Sequence, residues 1–287
     1  MLDKAIYEHL VNAPELAPLL TSYAGKAAVF NQEAPTDTDP NWADGAQYGR
    51  IIFALDVQGD PARAMGGSLM VDVMCDAGTQ APEELEPVVR KLIDGYFFTD
   101  NGCTMAAQWE SSRYFTDAGE QVAGVTILFS MLAFPVLSTL STDVVARINE
   151  WTSNRFPELT VINRNTLPAV WKSEAEKCAV YWRVFTIMPA EWIKDTHQTI
   201  YRIAQLKCHI FAPDICKASV IAQEIALQLY RDKRIISAGE GPIIVSRNNT
   251  INTGADALRE GQLTVEATYG EIVRIQPNNP LNHINYV

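Results

Sequence analysis

The order of segments along the 287 residues predicts an α/β protein of the α+β kind. The expected architecture is two tandem similar domains, 1–136 and 137–287. Each is ordered α-β-β-β-α-β-β, with a mainly antiparallel sheet flanked by helices. Three observations predict this. An amphipathic helical stripe in the first half returns, apolar residue for apolar residue, in the second. Strand-like runs stand before and after both stripes in the same order. The length suits two domains of ordinary size, and 47% hydrophobic with 20% charged residues is the composition of a soluble globular chain, not a disordered one. A chain this long can bury enough surface to need no disulfide or metal staple.

The first half opens with a helix over 3–11 that turns Ile6 and Leu10 inward. A strand over 29–32 follows, then Pro35, and then a strand-rich run over 48–57. Leu69, Val71 and Val73 alternate with Met70, Asp72 and Met74, the pattern of a half-buried strand. Leu85, Val88, Val89, Leu92, Ile93 and Tyr96 fall on one face of a helix. Pro82, Glu83 and Glu84 suit its first turn, whereas Pro87 is expected to delay the regular helix. Two strands over 103–114 and 121–132 close the half, joined by Thr116-Asp117-Ala118-Gly119.

The second half repeats the order. Val144 and Ile148 face inward on a helix capped by Thr142 or Asp143. A strand over 161–164 with Pro168 answers 29–32 with Pro35, and 178–188 answers 48–57. Leu206, Cys208 and Ile210 alternate with Gln205, Lys207 and His209. Ala218, Ile221, Ala222, Ile225, Ala226 and Leu229 each lie 133 residues after their counterparts, with Asp214 at the N-cap. Strands over 242–248 and 262–269 follow, joined by a loop holding Asn252-Thr253-Gly254; Leu263, Val265 and Ala267 match Val125, Ile127 and Phe129. The boundary falls near 135–141, and a C-terminal tail with Pro277 and Pro280 reads as extended. Such tails clip onto neighbouring subunits.

The formal charge is −11, from 23 basic and 34 acidic residues, which makes a poor general binder of phosphates. The halves differ: residues 1–140 carry 7 basic and 19 acidic side chains, residues 141–287 carry 16 and 15. Unequal fields on equal folds point either to different neighbours or to drift on solvated faces. The charged, amphipathic first residues lack a secretory signal pattern, and the longest apolar stretch, 122–136, is broken by Gly124, Thr126, Ser130 and Pro135. A cytosolic site of synthesis and no membrane contact are expected.

No catalytic constellation, cofactor or metal site is expected. Cys75, Cys103, Cys178, Cys208 and Cys216 show no C-x-x-C spacing. Cys208 falls on the apolar side of a strand, where a thiol acts as a small hydrophobe. His9, His197, His209 and His283 show no metal-binding spacing. Gly66-Gly67 precede a strand and do not follow one, which is a turn and not a phosphate cradle. The chain has no G-x-S-x-G elbow.

Candidate partner contacts lie in loops. The stretch 34–47 carries Asp37, Asp39, Trp42 and Asp44. Trp42 either meets a partner, as exposed tryptophans do at interfaces, or folds back on its own domain. The corresponding stretch of the second half carries Trp171, and an insertion over 189–199 carries Trp192 and Ile193.

This segment order resembles the tail terminator, or tail completion, proteins of long-tailed bacteriophages. The resemblance runs through the helix over 3–11, the strand ending in Asn31-Gln32-Glu33-Ala34-Pro35, the strands around 51–55 and 69–74, the helix over 85–96 and the closing hairpin through Phe129. The second half resembles a diverged copy. The resemblance implies a small α/β fold and a hexameric ring that caps the tail tube, stops its growth and offers a docking surface to the head–tail connector. It implies no cofactor. Its partners are then further copies of the chain, the tail tube protein and the connector, with DNA passing through unbound, in a virion tail or neck assembled in a host bacterial cytoplasm. Two domains per chain allow three chains or six per ring; the unequal charges favour six. Competing expectations are another neck or baseplate ring component, an α/β enzyme with an unrecognised site, and a non-viral adaptor that dimerises through sheet edges.

Overall fold

A computed structural model of the chain describes residues 2–43, 46–58, 66–117, 121–135, 143–162, 164, 167–191, 193–196, 199–236, 243–245 and 249–272. The expected turn at Ala118-Gly119, the boundary stretch 136–142, the residues 246–248 and the C-terminal tail lie outside the described residues. The protein is α+β, with four helices and two multi-stranded sheets among the described residues. No helix among them is long and apolar enough to cross a membrane.

The first half runs α1 (Leu2–Val11), β1 (Ser22–Tyr23), β2 (Lys26–Ala27), β3 (Val29–Asn31), β4 (Arg50–Val57), β5 (Gly67–Asp76), α2 (Pro82–Ile93), β6 (Phe97–Asp100), β7 (Cys103–Asp117) and β8 (Val122–Ala133). The second runs α3 (Val144–Arg155), β9 (Thr160–Val161), β10 (Val170–Trp171), β11 (Ala179–Pro189), β12 (Thr199–Phe211), α4 (Ile215–Asp232), β13 (Arg234–Ile235), β14 (Ile243–Val245), β15 (Thr250–Ile251) and β16 (Leu263–Ile272). The chain divides into two compact units, Met1–Val136 with Asn165–Cys178, and Leu137–Arg164 with Ala179–Val287. Residues 165–178 therefore belong by sequence to the second half and by packing to the first unit.

In the first unit the sheet order is β10-β6-β7-β8-β5-β4-β3, antiparallel except for the parallel pair β3 and β4. Period-two alternation gives the central strands one buried face: Leu69, Val71, Val73 and Cys75 on β5, with Val125, Ile127, Phe129 and Met131 on β8. Ile6 and Leu10 of α1 and Leu85, Val89, Leu92 and Ile93 of α2 share the same core. Pro87 does not delay α2, which starts at Pro82 and runs through it. Pro87 and Glu83 are both exposed, so water replaces the backbone bond the helix loses there. The helix stops at Ile93, short of Tyr96, because Asp94 is extended and Gly95 (φ +73) turns its N–H onto the Ala107 carbonyl.

In the second unit the order is β13-β14-β16-β12-β11-β9, with β15 also pairing β16; β9 and β11 are parallel and the other pairs antiparallel. Ala218, Ile221, Ala222, Ile225 and Leu229 of α4 are buried, and Asp214 caps the helix by accepting from the Lys217 N–H at 2.8 Å. Asp143 caps α3 in the same way on Ala146 at 2.9 Å. Trp182 is wholly buried and donates from Nε1 to the Thr152 hydroxyl at 3.0 Å.

Candidate interaction surfaces

The loop after β3 is built around Trp42. Its ring packs edge-on against Tyr23 at 5.0 Å and Phe30 at 5.6 Å, and Nε1 donates to the Thr36 carbonyl at 3.0 Å. Trp42 is buried and has folded back on its own unit. Asp39 accepts from the Asn41 N–H at 2.9 Å and from the Tyr23 hydroxyl at 3.1 Å; the Asn41 N–H is the main cause that holds its carboxyl below the usual range. Asp37 accepts from Arg50 at 3.0 Å, and the Arg50 guanidinium lies 4.9 Å from the centre of the Tyr48 ring. The structure thus brings Asp37, Asp39 and Trp42 into one self-bonded loop. Asp44 lies outside the described residues.

Trp171 sits at the opposite edge of the same sheet. β10 pairs with β6, placing Trp171 opposite Phe97, and the two rings meet edge-on at 5.2 Å. The neighbouring Lys172 donates to the Asp94 carbonyl at 2.7 Å and holds its ammonium 4.5 Å from the Tyr96 ring centre. Burial lowers its pKa. Ile193 belongs to the second unit, half-buried in the connection from β11 to β12, with its N–H on the Ala190 carbonyl. Trp192 lies outside the described residues.

Burial shifts the pKa of several titratable groups. His209 is buried on β12; burial, reinforced by Arg183, pushes its pKa down to about 4. Arg183 Nε donates to His209 Nε2 at 2.9 Å, so the neutral ring carries its proton on Nδ1 and donates it to the Ala257 carbonyl at 2.7 Å. Burial raises Cys75 to about 11 and Cys208 well above the ordinary thiol range, which suppresses the reactive thiolate. No cluster of three or more metal-ligating side chains occurs among the described residues. Two open grooves of about 570 Å³ stand out. One, in the second unit, is lined by Arg147, Trp151, Arg155 and Asp232, with Arg155 forked onto Asp232 at 3.0 and 3.2 Å. The other, in the first unit, lies between the start of α2 and the β7–β8 hairpin, where Glu83, Glu84, Tyr114, Phe115 and Thr116 face it.

Two of the expected strands carry exposed apolar side chains, which the sequence reading did not anticipate. Phe185, Ile187 and Met188 on β11 are 51%, 47% and 40% exposed, and Tyr114 on β7 is 51% exposed. The run Val184-Phe185-Thr186-Ile187-Met188 reads as a strand and leaves its exposure open, because an apolar run carries no sign of whether a neighbour covers it. Both strands bend at a bulge, between Val184 and Thr186 and between Trp109 and Ser111. No family model, curated protein or solved structure matches the chain at a significant level.

Proposed function

We propose that the chain is a ring-forming tail terminator of a long-tailed bacteriophage, built from two copies of one α+β module, that caps the tail tube and joins it to the head–tail connector. One observation carries the reading: the two sheets share a connectivity. From the parallel edge inward, the first runs β3-β4-β5-β8-β7-β6 and the second β9-β11-β12-β16-β14-β13. Each begins with a parallel pair, each is preceded by a helix (α1 or α3), and each receives its second helix between the third and fourth strands of the module (α2 or α4). A module repeated within a chain supplies repeated contacts, which is what a closed ring requires. The segment order of each copy resembles that of the tail terminator family. The acidic balance suits a passage through which DNA travels without being held.

Electron microscopy of the purified chain tests the ring: an annulus with a central hole is expected, and a monomer overturns the reading. Native mass separates a trimer of double modules from a hexamer. Deleting the gene from its phage is expected to give overlong tubes; tubes of normal length assign the ring to another level of the neck or to the baseplate.

A further inference from the structure

We propose that two open strand edges, one in each unit, are the two halves of a head-to-tail joint between copies of this chain: β11 of one copy lies along β7 of the next. The inference rests on the reading of the chain as a ring former and specifies how such a ring closes.

The first edge is on β11. Its parallel neighbour β9 covers it only at Ala179 and Val180. From 182 to 188 it has β12 on one side and no described strand on the other. The second edge is on β7. β6 covers it from Cys103 to Ala106, the Ala107 backbone bonds to Tyr96 and Gly95, and the Trp109 N–H is taken by the Asp94 carboxylate. From 111 to 116 it has β8 on one side and no described strand on the other. An open edge offers a row of backbone N–H and C=O groups to another strand, and folded proteins ordinarily guard it with charge. β11 has no charged guard: residues 184–189 contain no charged side chain, its only interruptions are the bulge between Val184 and Thr186 and the terminal Pro189, and Phe185, Ile187 and Met188 are exposed along it.

The charges around the edges choose the partner. Arg183 and Lys207 flank the β11 edge, with Lys207 Nζ 4.3 Å from the centre of the Phe185 ring. Around the β7 edge, Arg113 on the strand and Arg90 over the Trp109 ring are outnumbered by Glu83, Glu84, Glu86, Asp94 and Asp117, and Glu83 and Glu84 line the groove of about 570 Å³ beside Tyr114 and Phe115, an opening able to take an apolar side chain from β11. Pairing β7 with β7 would bring the acidic groups around Glu83 and Glu84 of both copies together, and pairing β11 with β11 would bring together the Arg183 side chains, each with Lys207 one strand further in on β12. Pairing β11 with β7 matches opposite charges, in keeping with 19 acidic against 7 basic residues in 1–140 and 15 against 16 in 141–287. A contact between two different surfaces of one chain propagates head to tail and closes into a ring.

Native mass spectrometry and negative-stain microscopy of the full-length protein test the joint. The wild type is expected as a ring. Ile187→Lys, which charges the open edge, is expected to yield the 31.8 kDa single chain with an unchanged circular dichroism spectrum and melting curve. Lys207→Glu alone, and Glu83→Lys with Glu84→Lys, are each expected to raise the concentration needed for assembly by about tenfold or more, and the chain carrying all three changes to recover it. Leu227→Lys, on the exposed face of α4, serves as the control that keeps the ring. A wild-type ring that survives Ile187→Lys, or charge reversals that fail to compensate, overturns the joint and leaves the ring reading standing. A ring of Ile187→Lys that no longer joins tails gives the edge to the tube instead, and also overturns it. A wild type that stays at 31.8 kDa overturns both.

Discussion

His209 is held neutral by its surroundings, and this ties stability to pH. The folded pKa of about 4 lies below the ordinary 6.5, so the unfolded chain binds the proton first. The stabilisation is full above pH 6.5 and is lost as pH falls toward about 4, by up to about 3 kcal/mol at one unit-charge site. Urea unfolding between these pH values is expected to show this slope, and His209→Gln is expected to flatten it. An unchanged slope in the variant would place the titration elsewhere. Gly124 is a second residue whose identity follows from its neighbours. A methyl group there would meet the Phe115 ring and lie 2.7 Å from the Val73 carbonyl oxygen. Gly124→Ala is expected to cost about 1–3 kcal/mol, read from the shift in the denaturation midpoint.

At the scale of elements, the segment 165–178 is the least expected feature. It leaves the second half of the sequence to add β10 to the first sheet, sealing Phe97 beneath Trp171. Trp171→Ala is expected to destabilise the first unit by about 3–5 kcal/mol, although the residue lies in the second half of the chain. Hydrogen exchange at β6 amides reads this directly, and unchanged protection there would remove the assigned role. Asp214→Ala, which strips the α4 cap, is expected to cost about 1 kcal/mol in the same unfolding measurements. The long amphipathic helices and the central strands were legible because ten or more residues display a period. β1, β2, β6, β10, β13 and β15, of two to four residues each, were not, because so short a run shows no period at all.

For the whole molecule, the unequal charges of the two halves bear on the proposed joint between copies. If opposite charges draw one copy's second unit to the next copy's first, added salt screens that attraction. Raising ionic strength from about 0.05 M to about 0.5 M is expected to shift native mass from ring toward single chains, and a salt-independent ring would show that apolar burial alone holds it. The residues singled out in sequence divide by this measure. Trp42 and Trp171 anchor their own unit, and Asp37 and Asp39 tie down a loop. Exposed apolar side chains lie instead on β7 and β11 and on the outer face of α4.

The sequence by itself determined the order of the four helices and the longer strands, the two buried stripes, the cap at Asp214 and the charge asymmetry, and it narrowed the α3 cap to Thr142 or Asp143. Each of these is written in local spacing or in simple counting. Only the tertiary structure decided which strands stand beside which, that 170–171 join the first sheet, and that β7 and β11 outrun their neighbours. Pairing joins residues distant in the chain, and whether an edge is covered depends on the length of the strand beside it, which no local pattern records.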